Sequence, residues 1–165
     1  MQNAARKLEV AANVAIVVVA CVAVMVLIRN YRASSAQPPT VKTGAQFALK
    51  NADWTASPKN MVLAVSTTCH FCTESAPFYR TLVEQCKRDH VKTIAVLPQP
   101  VNEAEAYLKG EGVTVDEIRQ SPLSDVEVSG TPTLVLVDNR GVVKSVWVGK
   151  LPSDKEKEVL NKVGS

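Results

Sequence analysis

The feature that most constrains this chain is the order of three consecutive segments between Met61 and Leu97. Met61 to Thr67 begins as an unbroken Val-rich apolar run, the pattern of a strand buried on both faces. Residues 70–88 then set Phe71, Phe78, Leu82, Val83 and Cys86 at spacings that suit one face of a helix. Val91 to Leu97 is a second apolar run. A buried strand, a helix and another buried strand in that order imply a crossover joining parallel strands. The first run is therefore expected to be the central strand of an α/β sheet. Pro77 lies inside the helical segment and predicts a kink, because it removes an N–H and crowds the preceding turn.

The flanking sequence supplies further elements. Phe47 and Leu49 alternate with polar neighbours, which predicts a short strand over residues 45–50, with Trp54 covering one edge of the core. Pro98 and Pro100 end the second apolar run. Asn102 is then expected to cap a helix over Glu103 to Lys109, stopped by Gly110 and Gly112. Val113 to Ile118 reads as a short strand or the start of a helix. Thr133 to Val137 and Val142 to Val148 flank Asp138-Asn139-Arg140-Gly141, the pattern of a β-hairpin. Ser153 is expected to cap a last helix ending near Val163.

The N-terminal third has a different composition. From Val10 to Ile28 every residue but Asn13 is apolar, and at about 1.5 Å per residue such a helix approaches the roughly 30 Å of bilayer hydrocarbon. We read residues 1–32 as a membrane anchor with its span at about 10–28. A signal peptide cleaved near Ser34-Ser35-Ala36 is the rival reading, although cleavable apolar cores usually run about 7–15 residues. The net charge of +3 belongs to this region, where Arg6, Lys7, Arg29 and Arg32 outnumber Glu9. The remaining residues are balanced in charge, which argues against nucleic acid as a partner. Basic residues on both flanks leave the positive-inside rule silent on orientation. Cys21, within the span, reads as a small apolar filler, and Asn13 could mark a helix contact in the membrane. Residues 33–43, with Pro38 and Pro39, read as a linker, and the domain proper is expected over 44–165.

Cys69-His70-Phe71-Cys72 lies where the first apolar run gives way to the helix. Two thiols with two residues between them can close and reopen a small disulfide ring. A helix N-terminus lowers the pKa of the first thiol. Gly130-Thr131-Pro132-Thr133 follows about sixty residues later. A structural disulfide and half of a zinc site are the other readings of the cysteine pair. A zinc site needs further ligands, and the only other histidine, His90, is expected at a helix end as a solvated cation.

These elements and motifs together resemble the thioredoxin fold. That family places C-x-x-C after its central strand, a kinking proline five residues beyond the second cysteine, and a cis-proline opposite the pair. Here these are Cys69 and Cys72, Pro77, and Pro132. The resemblance covers about residues 44–164. It implies an α/β domain with a central mixed sheet flanked by helices, carrying an insertion before the cis-proline over Pro98 to Val128 and preceded by one transmembrane helix. The anchor and the insertion are similar to those of TlpA-like and cytochrome c maturation thioredoxins of the bacterial envelope. Two positions depart from relatives: Thr68 stands where a tryptophan is usual, and Leu63 where thioredoxin has a buried aspartate.

The resemblance implies roles at each position. Cys69 is the attacking thiolate and Cys72 the resolving thiol, so no separate cofactor is required beyond the redox-active Cys69–Cys72 disulfide, and no metal. His70 either stabilises the Cys69 thiolate as a cation or points into solvent. Phe71 either offers an apolar contact to a partner chain or packs in the core. Thr131 and Pro132 would pair with an extended substrate segment. Glu74 is expected as a carboxylate in the first helical turn, and Cys86 as a buried, inert thiol. The expected function is a membrane-anchored thiol–disulfide oxidoreductase of the bacterial inner membrane, facing the periplasm or the outside. Its partners would be envelope protein thiols or disulfides and a membrane-bound electron donor or acceptor, with reduction slightly favoured. A thiol peroxidase and a copper-carrying assembly factor are the alternatives, but Ser66 occupies the usual peroxidase threonine position and the wider copper-site spacing is absent.

Overall fold

The computed structural model describes residues 40–165, together with Val19, Val22, Val24 and Met25, which are helical and exposed. Among the described residues no helix is long and apolar enough to cross a membrane. The anchor, Asn13, Cys21, the alternative cleavage site and residues 33–39 of the linker otherwise lie outside them.

The first apolar run forms β1, Lys59–Ala64, and the second forms β2, Lys92–Leu97. Between them run α1, His70–Glu74, and α2, Ala76–Arg88. After β2 come α3, Val101–Gly110, then β3, Glu117–Gln120, and a 3-10 turn over Leu123–Val126. The hairpin is β4, Thr133–Asp138, and β5, Val143–Val148, followed by α4, Ser153–Gly164. The five strands form one sheet in the order β3-β2-β1-β4-β5, so β1 is central as expected. It runs parallel to β2 and antiparallel to β4, pairing Val62 with Ile94 on one side and with Val135 on the other.

Period-two alternation along β1 divides the core into two layers. Met61, Leu63 and Val65 pack with Cys72, Leu82 and Cys86 beneath the helices. Val62 and Ala64 face Phe47, Trp54, Val126 and Val128 on the opposite side. Each such fully buried aliphatic side chain contributes about 1.5–3 kcal/mol relative to exposure, which is why the sheet is pinned in one register. Val41, assigned from sequence to the linker, is buried in the second layer, so packing begins before Gly44.

Several local expectations are corrected. Residues 45–50 form a single antiparallel bridge, Gln46 to Val142, instead of a strand, although Phe47 and Leu49 are buried as their alternation implied. The kink at Pro77 is a full break. Pro77 has no N–H to offer the preceding turn, so α1 ends at Glu74 and Ser75 both closes it and opens α2. Asn102 and Ser153 are not caps. The last non-helical residues are Pro100 and Pro152, whose carbonyls accept the first helical N–H groups, from Ala104 and from Lys155 and Glu156. Gly110 is the last residue of α3, and Gly112 beyond it adopts φ +67, a conformation glycine reaches without cost. The segment left open between strand and helix, Val113 to Ile118, runs into β3.

Candidate active site

β1 ends as Val65 donates to the Val96 carbonyl, and the chain then turns through Ser66-Thr67-Thr68 to Cys69. Cys69 is the N-cap of α1, in extended conformation at φ −90 and ψ 109. Its N–H donates to the Ser66 carbonyl at 3.1 Å. Its sulfur takes the capping role that a serine or aspartate oxygen usually fills, accepting the Cys72 N–H at 3.2 Å. The Cys69 S–H points at the Thr131 carbonyl, 3.5 Å away. Thr131 precedes Pro132 across a cis peptide bond, and Gly149 in the turn after β5 donates to the Pro132 carbonyl at 2.7 Å. Cys69, Cys72, Thr131 and Pro132 thus meet at one end of the sheet, as the sequence implied.

The two thiols have opposite character. Burial acts against the Cys69 thiolate, but hydrogen bonds from the Cys72 and Thr131 side chains and from the Cys72 and Phe71 backbones outweigh it, and its pKa is lowered. Cys72 has no exposed surface. Burial pushes its thiol up to about 12, helped by the hydrogen bond it makes to Cys69 and opposed by the Ser66 backbone. The inner sulfur therefore holds its proton more tightly, and the outer sulfur is the one that ionises first. All three cysteines among the described residues are free thiols.

Around this pair, Phe71 is 55% exposed and offers an apolar surface beside Cys69, which places it outside the core. The His70 side chain is 79% exposed, with Nε2 3.1 Å from Glu74 Oε1. Glu74 lies in the last turn of α1, not the first. There the Lys150 ammonium, 2.9 Å from Oε2, lowers its pKa. Leu63 is wholly buried in the same layer as Cys72. Cys86 is buried and its thiol is likewise raised to about 12 by burial, as an inert core residue should be. His90 is exposed just beyond α2. Among the described residues no group of three or more His, Cys, Asp or Glu side chains could hold a metal ion.

Three side chains not singled out from sequence also reach the site. Gln99 Nε2 donates to Ser66 Oγ at 2.8 Å and its Oε1 accepts the Thr67 N–H at 3.4 Å. Thr67 Oγ1 donates to Glu103 Oε1 at 2.8 Å, and Thr73 Oγ1 and Tyr107 Oη lie 3.4 Å apart. Their four-residue spacing is the signal that places them on one face of α3 and its lead-in.

No family model matches the sequence, and no curated protein matches it. Solved structures do match the fold. A crystal structure described as a thiol:disulfide interchange protein DsbE from Chlorobium tepidum superposes with a TM-score of 0.60 at 20% identity, covering 76% of this chain and 100% of that one. The thioredoxin domain of a thiol-disulfide oxidoreductase from Bacteroides vulgatus gives 0.59 at 15% identity, covering 76% and 100%. A thiol-disulfide isomerase from Corynebacterium glutamicum gives 0.55 at 13% identity, covering 78% and 97%. The fold is thioredoxin-like.

Proposed function

We propose that this domain is a thiol–disulfide oxidoreductase acting on protein thiols and disulfides. One observation carries the reading: the half-exposed Cys69 sulfur caps α1 by accepting the Cys72 N–H at 3.2 Å, with its pKa lowered, while the Cys72 thiol is wholly buried.

In the reductive direction, the Cys69 thiolate attacks a substrate disulfide in line. A Cys69–substrate S–S bond forms, the substrate's own S–S bond breaks, and one substrate sulfur leaves as a thiolate with the electron pair. Cys72 then loses its proton to solvent and attacks Cys69. The Cys69–Cys72 bond forms, the second substrate sulfur departs, and two electrons have passed from the dithiol to the substrate. The reverse sequence oxidises a dithiol. An extended substrate segment would lie along Thr131 and Pro132, with Phe71 contributing apolar contact.

We further propose that residues 10–28 anchor the chain in the bacterial inner membrane with the domain outside the cytoplasm. There disulfide chemistry is supported, and the partners would be envelope proteins and a membrane-bound electron donor or acceptor. The apolar span followed by a dithiol domain supports this placement. Reduction is the favoured direction on the resemblance of the sequence to TlpA-like and cytochrome c maturation thioredoxins.

The test is trapping. A Cys72→Ser variant should accumulate a mixed disulfide with a protein disulfide substrate through Cys69, and a Cys69→Ser variant should not. The reduction potential then decides direction, with a value near roughly −270 mV supporting reduction and one near roughly −120 mV supporting oxidation. A reporter fused after Ser165 and active only in the cytosol would overturn the placement.

A further inference from the structure

Cys69 stands between two walls: α1, which it caps, and the loop that carries Thr131 and the cis-bonded Pro132. The bond from the Cys69 S–H to the Thr131 carbonyl joins these walls only while the thiol keeps its proton, because a thiolate has no hydrogen to donate. In the reactive state that tie is gone. A second contact crosses the gap and involves neither sulfur. Glu74, in the last turn of α1, holds the Lys150 ammonium at 2.9 Å through Oε2. Lys150 directly follows Gly149, whose N–H donates to the Pro132 carbonyl at 2.7 Å. A chain of contacts therefore runs from the dithiol helix through Glu74, Lys150 and Gly149 to the cis-proline. Glu74 Oε1 is engaged as well, 3.1 Å from His70 Nε2, so the carboxylate is held from two sides.

We propose that Glu74 and Lys150 are positioning residues for attack on a protein disulfide: their ion pair braces the cis-proline loop against α1 at the separation that receives an extended substrate segment. This rests on the reading of Cys69 and Cys72 as an exchange pair. The brace acts on the loop and not on the sulfur. It therefore matters to a substrate that fills the space between the two walls, and not to a small reagent that meets Cys69 alone. The Lys150 and Glu74 side chains are 50% and 36% exposed. A pair so exposed contributes little energy and weakens with salt, which sets both the size and the signature of its effect.

The experiment uses the reduced full chain carrying Cys72→Ser, in which the mixed disulfide accumulates, at a pH above the Cys69 midpoint so that ionisation limits neither of two reactions. One is exchange with an uncharged peptide disulfide, followed by acid quenching and mass measurement. The other is alkylation of Cys69 by iodoacetamide. Glu74→Gln and Lys150→Met should each slow mixed-disulfide formation by about two- to fivefold, the most that an exposed ion pair carries, and leave alkylation unchanged. The reversed pair, Glu74→Lys with Lys150→Glu, should recover most of the loss. Sodium chloride should slow formation by the parent chain towards the rate of the single variants, and leave the single variants as they are. Unchanged formation in both single variants, equal slowing of alkylation, or a reversed pair no faster than the single variants overturns the proposal. If the parent chain is alkylated at Cys69 yet forms no mixed disulfide, the exchange reading fails and takes this proposal with it.

Discussion

The backbone N–H of Cys72 donates to the Cys69 sulfur at 3.2 Å, so the residue that buries one thiol also stabilises the other as an anion. The arrangement follows from spacing alone. With Cys69 at the N-cap, the residue three positions on presents a first-turn N–H that is shared between the Cys69 carbonyl, at 3.0 Å, and the Cys69 sulfur. The same residue, having no exposed surface, holds its own proton.

This asymmetry predicts an order of alkylation. In the reduced folded protein, iodoacetamide should modify Cys69 first, with a rate that rises through a pH midpoint below that of an unstructured cysteine. Cys72 and Cys86, both raised to about 12, should stay unmodified near neutral pH until the chain is unfolded. Peptide mapping after timed alkylation checks this. Equal labelling of Cys69 and Cys86 would contradict the burial and hydrogen bonding described above.

Thr131 acts on both sulfurs, since its side chain lowers the pKa of Cys69 and of Cys72. Thr131→Val keeps the shape and removes the hydroxyl. The Cys69 midpoint should move up and exchange near neutral pH should slow by about three- to tenfold, on the scale of one hydrogen bond to a charged group. Thiolate absorbance against pH, read beside the rate of insulin disulfide reduction, measures both. A midpoint unmoved by the substitution would remove Thr131 from the electrostatics of the site.

What could be read from the sequence was whatever depends on local pattern. The run Met61 to Val65 announced its strand because both faces are buried, and the hairpin announced itself through Asp138 to Gly141. Cys69, Cys72 and Pro132 were legible because motif spacing fixes their places relative to a strand end. Caps were not legible. Asn102 and Ser153 are good capping residues, yet the chain enters each helix one residue after a proline whose extended conformation sets the start. The stretch around Phe47 has strand alternation but only one partner position, at Val142, and a sequence does not reveal how much sheet edge is free. Gln99, Glu103 and Tyr107 share a four-residue spacing, but that spacing does not say that the face they form meets the loop at Ser66 and Thr67.

Stability at high pH should report the buried thiols. A thiol whose pKa is raised in the folded state binds its proton more tightly there than in the unfolded chain. Its contribution is therefore fully present below the ordinary value of 9.0 and is lost as pH rises towards about 12. Reduced protein should lose stability over that window. Cys86→Ala should lower stability near neutral pH by about 1–2 kcal/mol through the cavity it leaves, but its decline between pH 9 and pH 12 should be shallower than that of the wild type. Denaturant titrations at several pH values give both quantities. Parallel curves would mean that Cys86 does not resist ionisation in the folded state.

Gly141 provides a test of the packing over the second core layer. It sits at φ +81 in the β4–β5 turn, where its N–H donates to the Asp138 carbonyl at 3.0 Å and its own carbonyl accepts the Phe47 N–H at 2.8 Å. An added Cβ would collide with Gln46 Nε2 and come within 2.9 Å of the Trp54 ring. Two penalties therefore combine in Gly141→Ala: a positive φ that costs a non-glycine residue about 1 kcal/mol, and displacement of Trp54 from its edge-on contact with Phe47 at 6.0 Å. A loss of about 2–4 kcal/mol is expected, with altered tryptophan fluorescence, because strain and overpacking add when neither can relax without the other. The thiol midpoint of Cys69 should be unchanged, because the turn lies at the opposite end of β4 from Pro132. A shift in that midpoint would show that the second core layer and the dithiol are coupled through β4. A stability loss under about 0.5 kcal/mol would show that Trp54 is not held where the structure places it.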